Sequence, residues 1–428
     1  MENTRPWAKN QDAADPLRHF RGQFFFPKKD GKDVVYFCGN SLGLQPKTVR
    51  KALLSELDQW KTHGVEGHFR GEKPWMPYHK FLQPATARLV GAQENEVVVM
   101  NTLTTNLHIL MTSFYRPTAQ RFKILVESGA FPSDQYAVET QARLHGFDPE
   151  TAIVELVPRL GEWTLRTEDI LQTIENQGDT LALVMLGGVN YMTGQFFDLE
   201  TITRAGHAAG AMVGFDLAHT AGNLPLRLHD WGPDFAVWCS YKYLNSGPGG
   251  PGGVFVHERH ADRPELLRFG GWWGHDEGER FLMKKGFKPM RGAAGWQLSN
   301  AQVLSSAAHL ASLEIFDAAG MSALREKAIR LTAFLEFIVK KHQKPLGLTL
   351  ITPKNPADRG CQLSLLTGSN GRQIFDFLEK NGVVCDWREA HLAGAIAGSG
   401  IIRLAPVPLY NSFEDVWRLG NLLEKFGA

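Results

Sequence analysis

Between about residue 95 and residue 256, short apolar runs alternate with amphipathic helical stretches, and this alternation limits the possible folds more than any other feature. Helices are predicted between most of the runs, one from Ser133 as its N-cap to Gly146 and another ending at Gly210. Such a pattern predicts an α/β fold, in which a mostly parallel sheet carries helices on both faces. The predicted strands are EVVVM (96–100), FKILVE (122–127), TAIVELV (151–157), TLALVML (180–186), AMVGFD (211–216), FAVWCS (235–240) and GGVFVH (252–257).

After about residue 300 the pattern changes to long helical stretches, followed by shorter strand candidates near CQLSLLT, GVVCDW and GIIRLAP. This change predicts a second, smaller α+β domain at the C-terminal end of the chain. We expect a large domain over residues 41–305 and a small domain over residues 306–428. Residues 1–40 lie outside the alternating pattern, and we expect them to pack on the small domain.

The charge balance argues against nucleic acid or a membrane surface as a partner. The 428 residues include 46 Lys and Arg and 45 Asp and Glu, so the formal net charge is +1. The four cysteines are scattered and form no CxxC pair or cluster with histidine, which favours a reducing, cytoplasmic compartment and predicts no metal centre. The first twenty residues lack the apolar stretch of a signal peptide, and no apolar run has membrane-spanning length. We therefore expect a soluble protein that acts on small molecules.

Polar residues at the carboxyl ends of the predicted strands are the first candidates for a functional site, because parallel sheets bind ligands at that edge. Thr104 and Thr105 follow VVVM at a predicted helix start, which is a seat for a phosphate or an ordinary threonine cap. Asp216 and His219 follow the strand that ends in MVGF, and each alone could be a hydrogen-bonded structural residue. Lys242 lies between two tyrosines in SYKYLN, after the next strand. We expect these side chains to converge above the sheet.

A phosphate seat, a carboxylate and a lysine at one sheet edge are the set that pyridoxal 5′-phosphate requires. Its phosphate suits a helix N-terminus, its aldehyde forms a Schiff base with a lysine, and its ring nitrogen needs an acidic partner. Aromatic neighbours disfavour the ammonium form of Lys242, which favours its use as a nucleophile. A lysine considered alone is most often a surface charge. The predicted proximity of Thr104 and Asp216 favours a functional role for Lys242 instead.

Two further segments fit such a site. GAFPSDQYA presents Phe131 to stack on a flat ring, with Ser133 and Asp134 to bond its polar groups; a proline-initiated helix start would explain the same residues. Arg403 lies in the apolar run IIRLAP, where its planar guanidinium could bind the carboxylate of an amino-acid substrate. An internal salt bridge to a protein carboxylate is the alternative for Arg403.

Seven segments, in order along nearly the whole chain, resemble the kynureninase family, which consists of fold-type I pyridoxal phosphate enzymes of the class V aminotransferase group. They are CGNSLGLQPK, GAFPSDQYA, FDLAHTAGN, SYKYLN, GGWWGH, QLSNAQ and IRLAPVPLYNS. The resemblance implies hydrolysis of L-kynurenine, or its 3-hydroxy form, to an anthranilate and L-alanine. It also implies a place in tryptophan catabolism, a link to NAD biosynthesis and a homodimer. The segment GHFRGEKPW (67–75) is similar to the eukaryotic branch of the family, which favours the hydroxylated substrate.

The resemblance implies a role for each matched residue. Lys242 would hold the cofactor and move the α-proton, Asp216 would pair with the ring nitrogen, and Tyr241 would donate a proton or contact phosphate. Gly187 stands where many members have a serine, so that contact would come from the backbone or be absent. The implied cofactor contacts are Leu103, Thr104, Phe131, Ser133, Asp134, Asp216, His219, Tyr241, Lys242, Trp272 and Asn300. The implied substrate contacts are Ser41, His68, Asn300 and Arg403, with Trp272 and Asn300 reaching across the dimer interface.

Three other interpretations remain open on the sequence alone. A cysteine desulfurase or class V transaminase would share the fold, but a desulfurase usually has histidine before its lysine, where this chain has Tyr241, and a mobile reactive cysteine. The glycine-rich GPGGPGG (247–253) lacks the GxGxxG spacing of a dinucleotide site and is better explained as a close-approach turn beneath the cofactor. A catalytically silent binding protein would have no use for Lys242, Asp216 and Arg403 together.

Overall fold

The structure is a computed structural model that describes residues 1–389 and 399–427. Its helices are α1 (Arg5–Ala13), α2 (Val49–His63), α3 (Tyr78–Val90), α4 (Leu103–Phe114), α5 (Pro132–Leu144), α6 (Pro149–Ala152), α7 (Thr167–Gln177), α8 (Leu199–Ala208), α9 (Leu228–Trp231), α10 (Val303–Ala319), α11 (Met321–Leu346), α12 (Gly371–Lys380) and α13 (Phe413–Gly427). Its strands are β1 (Lys28–Lys29), β2 (Lys32–Asp33), β3 (Val35–Tyr36), β4 (Val97–Met100), β5 (Lys123–Glu127), β6 (Ile153–Leu156), β7 (Leu181–Gly187), β8 (Met212–Asp216), β9 (Phe235–Cys239), β10 (Gly252–Val256), β11 (Leu348–Leu350), β12 (Leu363–Thr367), β13 (Val383–Val384), β14 (Asp386–Glu389) and β15 (Gly400–Leu404).

The seven strands predicted between residues 95 and 256 form one sheet in the order β4-β10-β9-β8-β7-β5-β6. Neighbouring strands from β9 to β6 are parallel, and β10 is antiparallel to both β9 and β4. The predicted α/β fold with a mostly parallel sheet is therefore confirmed. Because parallel neighbours end at the same edge, the residues after β5, β7, β8 and β9 lie close together.

Both faces of this sheet are covered, as the nearly continuous apolar runs predicted. Val97 and Val99 of β4 belong to one buried core cluster, while Val98 and Met100 belong to another. Since successive strand residues point to opposite faces, each face has its own core. Because the sheet is packed between these two cores, the turns at its carboxyl edge, which carry the polar residues, are held in fixed positions.

The C-terminal part of the chain forms a four-stranded antiparallel sheet in the order β11-β12-β15-β14. The run GVVCDW, predicted as one strand, divides between β13 and β14, and β13 pairs in parallel with β3 of the N-terminal segment. The ring of Trp7 in α1 lies 4.5 Å from that of Phe334 in α11. These contacts support packing of the first forty residues on the C-terminal part, while the domain boundaries remain a prediction.

One helix start differs from its prediction. Ser133 was expected to be the N-cap of α5, but Phe131 is the N-cap and Pro132 is the first helical residue. Proline suits that position because its φ is already helical and the first N–H of a helix has no partner to lose. Ser133 therefore lies inside the first turn of α5, one residue from Asp134.

Across the described ranges 1–389 and 399–427, no helix is both long enough and apolar enough to cross a membrane.

Candidate active site

Lys242 lies in a tight turn after β9, surrounded by a histidine and aromatic rings. Its Nζ is 3.1 Å from Nε2 of His219, 5.6 Å from the centre of the Phe131 ring and 6.0 Å from that of Tyr241. The N–H of Asn245, which has a left-handed φ of 52°, donates to the carbonyl of Lys242 at 3.1 Å and closes the turn. The amine therefore points into an enclosed space at the carboxyl edge of the sheet.

Asp216 is the last residue of β8, the strand beside β9, and His219 follows three residues later; both line the same space. Burial raises the pKa of the Asp216 carboxyl, while the Ala218 N–H, which donates to Oδ1 at 2.7 Å, and the charge of Lys242 lower it in part. Burial and the charge of Lys242 hold the pKa of His219 well below its usual range. His219 is therefore a neutral imidazole, whose Nε2 accepts a hydrogen bond from the Lys242 amine.

The start of α4 forms one wall of the site. Thr102 is the N-cap but makes no side-chain capping bond, and the first turn contains no acidic residue. Asn101, with a left-handed φ of 45°, turns the chain from β4 into the helix. The backbone N–H groups of the first turn, next to Leu103 and Thr104, are therefore available to an anion.

The opposite wall is the start of α5. Phe131 is 40% exposed, and its ring meets Tyr191 edge-on with the ring centres 5.2 Å apart. The hydroxyl of Ser133 donates to Oδ1 of Asp134 at 3.3 Å. A flat aromatic ligand entering this space would meet the Phe131 ring on one side.

These walls enclose a cavity of about 170 Å³. The predicted cofactor contacts that line it are Leu103, Thr104, Phe131, Ser133, Asp134, Asp216, His219, Tyr241 and Lys242. These nine residues, predicted from the sequence to contact one cofactor, thus line one cavity in the structure. The cavity is also lined by Glu127, Gly187, Val189, Tyr191 and Ala218. Of these, only Gly187 was considered from the sequence, as a position whose contact would come from the backbone or be absent.

Gly187 lines the cavity with its backbone, and the neighbouring Glu127 leaves no room for a side chain at this position. The N–H of Gly187 donates to both carboxylate oxygens of Glu127, at 3.2 and 3.0 Å. A Cβ on Gly187 would lie 2.8 Å from Oε1 of Glu127. Glu127 is the last residue of β5, so its position at the carboxyl edge was the available signal.

Tyr241 is placed to remain a proton donor. Burial, together with the neighbouring Cys239 thiol to which it is hydrogen-bonded, raises the pKa of the Tyr241 phenol above its usual range. The phenol therefore carries its proton at neutral pH.

Arg403 is buried in β15 and does not line the cavity. One terminal nitrogen forms an ion pair with Asp386, and the other donates to the carbonyl of Tyr191 at 2.8 Å. Asp386 also pairs with Arg388 at 3.1 Å. The structure thus shows the internal salt bridge that the sequence left open, and it joins Arg403 to the cavity through Tyr191.

The remaining predicted site residues do not line the cavity within this chain. Ser41 belongs to a segment that packs on the lysine turn, where the Gly43 N–H donates to the Tyr241 carbonyl at 2.8 Å. His68 lies edge-on to Trp75, with the ring centres 5.3 Å apart. Trp272 donates from Nε1 to the carbonyl of Arg280 at 3.0 Å, and Asn300 is exposed.

A separate cluster of Glu96, His229 and His257 has spacing that could suit a metal ion. Both oxygens of Glu96 already accept backbone N–H groups, from Gln93 at 2.9 Å and Glu258 at 2.8 Å. The N–H of Arg259 donates to Nδ1 of His257 at 3.1 Å. The bond from Glu258 joins the chain before β4 to the chain after β10, so the cluster is explained as a structural tie.

Known proteins similar to this chain were found at both the sequence and the structure level. Residues 324–423 match a family model described as the kynureninase C-terminal domain. A protein named kynureninase from Koribacter versatilis is 56% identical over 98% of this chain and 96% of its own length. Proteins of the same name from Flavobacterium johnsoniae and Myxococcus xanthus are 53% and 57% identical, over 99% of this chain and 98% and 97% of theirs.

The solved structures that resemble this fold are more distant in sequence. The cysteine desulfurase CsdA from Escherichia coli has a TM-score of 0.75 at 18% identity, covering 96% of this chain and 98% of that one. A variant of C-DES with glycine covalently linked to its PLP cofactor has a TM-score of 0.72 at 18% identity, covering 91% and 96%. These likenesses show the fold.

Proposed function

Because this chain belongs to the kynureninase family, we infer that it is a pyridoxal phosphate-dependent hydrolase acting on carbon–carbon bonds in ketonic substrates. Its substrate is L-kynurenine, 3-hydroxy-L-kynurenine or both, and its products are the corresponding anthranilate and L-alanine. The observation that carries this conclusion is identity above 50% over nearly the whole of each curated relative. A desulfurase or transaminase activity is not favoured, since the structures of desulfurases share the fold at only 18% identity.

The residues of the cavity fit the cofactor. Lys242 supplies the amine, Asp216 a buried carboxylate for the ring nitrogen, and the start of α4 free N–H groups for the phosphate. Buried Nδ1 of His219 has no partner among the described residues, which suits a polar group of a ligand. When bound, pyridoxal phosphate supplies an electron sink for the substrate's α-carbon.

We assign the protein's own part in the reaction to three residues. Lys242 takes the proton from the substrate's α-carbon and later returns it, because its amine lies inside the cavity. Asp216 keeps a negative charge facing the ring. Tyr241 donates a proton when water has added to the γ-carbonyl and the Cβ–Cγ bond breaks, because its phenol is protonated at neutral pH.

Arg403 is proposed to bind the substrate carboxylate. It already holds Asp386 and the Tyr191 carbonyl, and its Nε has no partner among the described residues. Asp386 has a second cation in Arg388, so it would remain paired if the substrate carboxylate displaced it from Arg403. The fork geometry of arginine suits such an exchange.

The outer part of the site is proposed to be completed by a second copy of the chain, in a homodimer. Ser41, His68, Trp272 and Asn300 lie outside the cavity, and Trp272 and Phe69 belong to an exposed apolar patch. This Phe69–Trp272 patch is defined as Phe69, Trp272, Phe281, Leu282 and Met283, and each of its side chains is at least 47% exposed. Exposed apolar patches of this kind are typical of subunit interfaces.

The proposed products indicate a metabolic role for the protein. We propose that the reaction serves tryptophan catabolism and supplies NAD biosynthesis through a hydroxylated product. A cytoplasmic location is supported by four free cysteines, of which Cys239, Cys361 and Cys385 are buried. His68 is proposed to face the aromatic end of the substrate and to favour a 3-hydroxyl group.

Product analysis tests the proposed function. The purified protein, supplied with pyridoxal phosphate, is expected to convert L-kynurenine to equal amounts of anthranilate and L-alanine, and 3-hydroxykynurenine to 3-hydroxyanthranilate and L-alanine. The ratio of kcat/KM values on the two substrates measures the preference, which we expect to favour the hydroxylated one. Formation of an oxo acid, or turnover of L-cysteine instead of either substrate, would contradict hydrolysis.

A further inference from the structure

The cavity contains a third buried carboxyl, Glu127, which has no assigned role in the proposed reaction. It ends β5, its side chain is buried, and both of its carboxylate oxygens accept from the N–H of Gly187. No lysine, arginine or histidine in residues 1–389 and 399–427 forms an ion pair with it. A buried carboxylate whose hydrogen bonds come from backbone N–H groups, with no cation beside it, is expensive to ionise.

Charge balance in the cavity limits how many carboxyls can be ionised together. Glu127, Asp134 and Asp216 line it, while Lys242 is its only cation within the described residues. Asp134 and Asp216 line the same small cavity, and two like charges so close together disfavour ionisation of both. Burial, then the charge of Asp216, raises the pKa of Asp134 well above its usual range.

Glu127 is the carboxyl of the three whose oxygens are held by the N–H of Gly187, on the neighbouring strand. Burial, with a smaller contribution from the charge of Asp216, raises the pKa of Glu127 to about 7, and the Gly187 N–H offsets part of this. The titratable groups that line the same two cavities are Asp216 at the end of β8, Asp134 and Glu139 of α5, Glu155 of β6, Tyr191 after β7, His219 after β8, and Tyr241 and Lys242 after β9.

Glu127 also has its own connection to solvent. Together with Asp134 and Gly187 it lines a second pocket of about 40 Å³, which is also lined by Glu139 and Glu155 but not by Lys242. That volume can hold a water molecule. Glu155, which lines this pocket, is exposed, so the small pocket borders solvent on a side away from Lys242.

We propose that Glu127 is a positioning residue for the ring nitrogen of the cofactor, acting through Asp216. When Glu127 loses its proton, its charge strengthens the hold of Asp216 on the ring proton; when it gains one through the small pocket, that hold weakens. This inference rests on the proposed function for its meaning in catalysis, but not for the titration itself.

The variant Glu127→Gln tests the titration in the protein without cofactor. The amide keeps the shape and the acceptor for Gly187, but it cannot ionise. A carboxyl whose pKa is higher folded than unfolded stabilises the fold below the unfolded value, 4.5, and loses that contribution as pH rises to about 7. The melting temperature of Glu127→Gln is therefore expected to exceed that of the natural chain by about 2 °C at pH 8, and by less at pH 5.

The matched control is Glu155→Gln, which changes an exposed carboxyl that lines the small pocket but not the Lys242 cavity. Its melting temperature is expected to follow that of the natural chain at every pH. A difference between Glu127→Gln and the natural chain that stays constant from pH 5 to pH 8 would overturn the assigned titration.

The visible absorption of the cofactor-loaded protein tests the link to the ring. The natural chain and Glu155→Gln are expected to show a spectral change with a midpoint near pH 7, and Glu127→Gln is expected to lose it. If Glu127→Gln does not fold, Glu127→Asp withdraws the carboxyl from Gly187 and should shift that midpoint. An unchanged midpoint in either variant overturns the proposal, whereas failure of the natural chain to cleave kynurenine would refute the proposed function alone.

Discussion

At the residue scale, the proposed function depends on a few side chains whose charge is set by burial. His219 is neutral because burial and the charge of Lys242 hold its pKa well below the usual range. Tyr241 keeps its proton because burial raises its pKa. The cavity thus offers an amine, a neutral acceptor and a protonated phenol within one small volume. That combination suits repeated proton transfer to and from a bound amino acid.

Replacing the lysine should affect the rate far more than replacing a phosphate contact. Lys242→Ala removes the proposed acid and base and is expected to lower kcat by about 10²- to 10⁴-fold or more. Thr104→Ala removes one hydroxyl beside backbone N–H groups that remain, so it should mainly weaken cofactor affinity. Steady-state kinetics with saturating pyridoxal phosphate separate the two effects. Equal losses of kcat in both variants would refute this assignment of roles.

The sequence predicted most of this site because each residue follows a strand at a recognisable position. Asp216 and Lys242 come directly after apolar runs, and Thr104 follows a third. Glu127 holds the same position at the end of its strand as Asp216, but it was read as part of the strand FKILVE and was not considered as a site residue. Asp386, the partner of Arg403, was missed because only the register of β14 against β15 places the two opposite each other.

At the element scale, the cavity depends on how closely β10 approaches the start of α4. Gly252, the first residue of β10, donates its N–H to the carbonyl of Asn101 at 2.8 Å. A Cβ at this position would lie 2.7 Å from Nδ2 of Asn106 and 3.2 Å from the N of Leu103. The last two residues of the glycine-rich run predicted as a close-approach turn, Gly252 and Gly253, therefore belong to β10, and Gly252 packs against the proposed phosphate site.

A methyl group at Gly252 should loosen that seat. Gly252→Ala is expected to destabilise the fold by about 1–3 kcal/mol, because the added atom forces apart β10 and α4. It should also weaken binding of pyridoxal phosphate. Gly22→Ala is the matched control, since an added Cβ there meets nothing within 4 Å. Denaturant unfolding of the two variants and cofactor titration check the prediction; equal behaviour would contradict it.

The element boundaries that the sequence missed have local physical causes. The seven central strands were predicted because buried parallel strands are continuously apolar. GVVCDW was predicted as one strand, yet its two halves pair with different sheets, β13 with β3 and β14 with β15. Such a division depends on partners distant in the chain, which no local pattern contains.

At the scale of the whole molecule, the cavity accounts for one part of the proposed site and the exposed surface for the other. The proposed cofactor contacts that line the cavity, from Leu103 at the start of α4 to Lys242 after β9, all belong to one chain. His68, Trp272 and Asn300 remain outside, and the Phe69–Trp272 patch leaves large apolar side chains in contact with water. A symmetric dimer through this patch would cover it and bring the outer residues to a neighbouring cavity.

A charge placed in the patch should weaken the proposed dimer. Met283 is 73% exposed and has a left-handed φ of 53°, a conformation that aspartate tolerates, so Met283→Asp should fold. We expect it to raise the dissociation constant of the dimer at least about tenfold, by burying a charge in an apolar interface. Sedimentation across a dilution series measures the constant, and kcat/KM should fall with the dimer fraction.

Leu160→Asp is the control for Met283→Asp, because Leu160 is fully exposed and lies outside the patch. It should leave both the dimer and the activity unchanged. Equal dissociation constants for the two variants would remove the patch from the proposed interface.

The visible absorption spectrum of the purified protein, recorded before and after addition of L-kynurenine, tests the central claim most directly. We predict a yellow protein whose absorption band changes on addition of the substrate while fluorescent anthranilate accumulates. A colourless protein that pyridoxal phosphate does not restore, and that produces no anthranilate, would contradict the assignment of Lys242 and of the whole cavity.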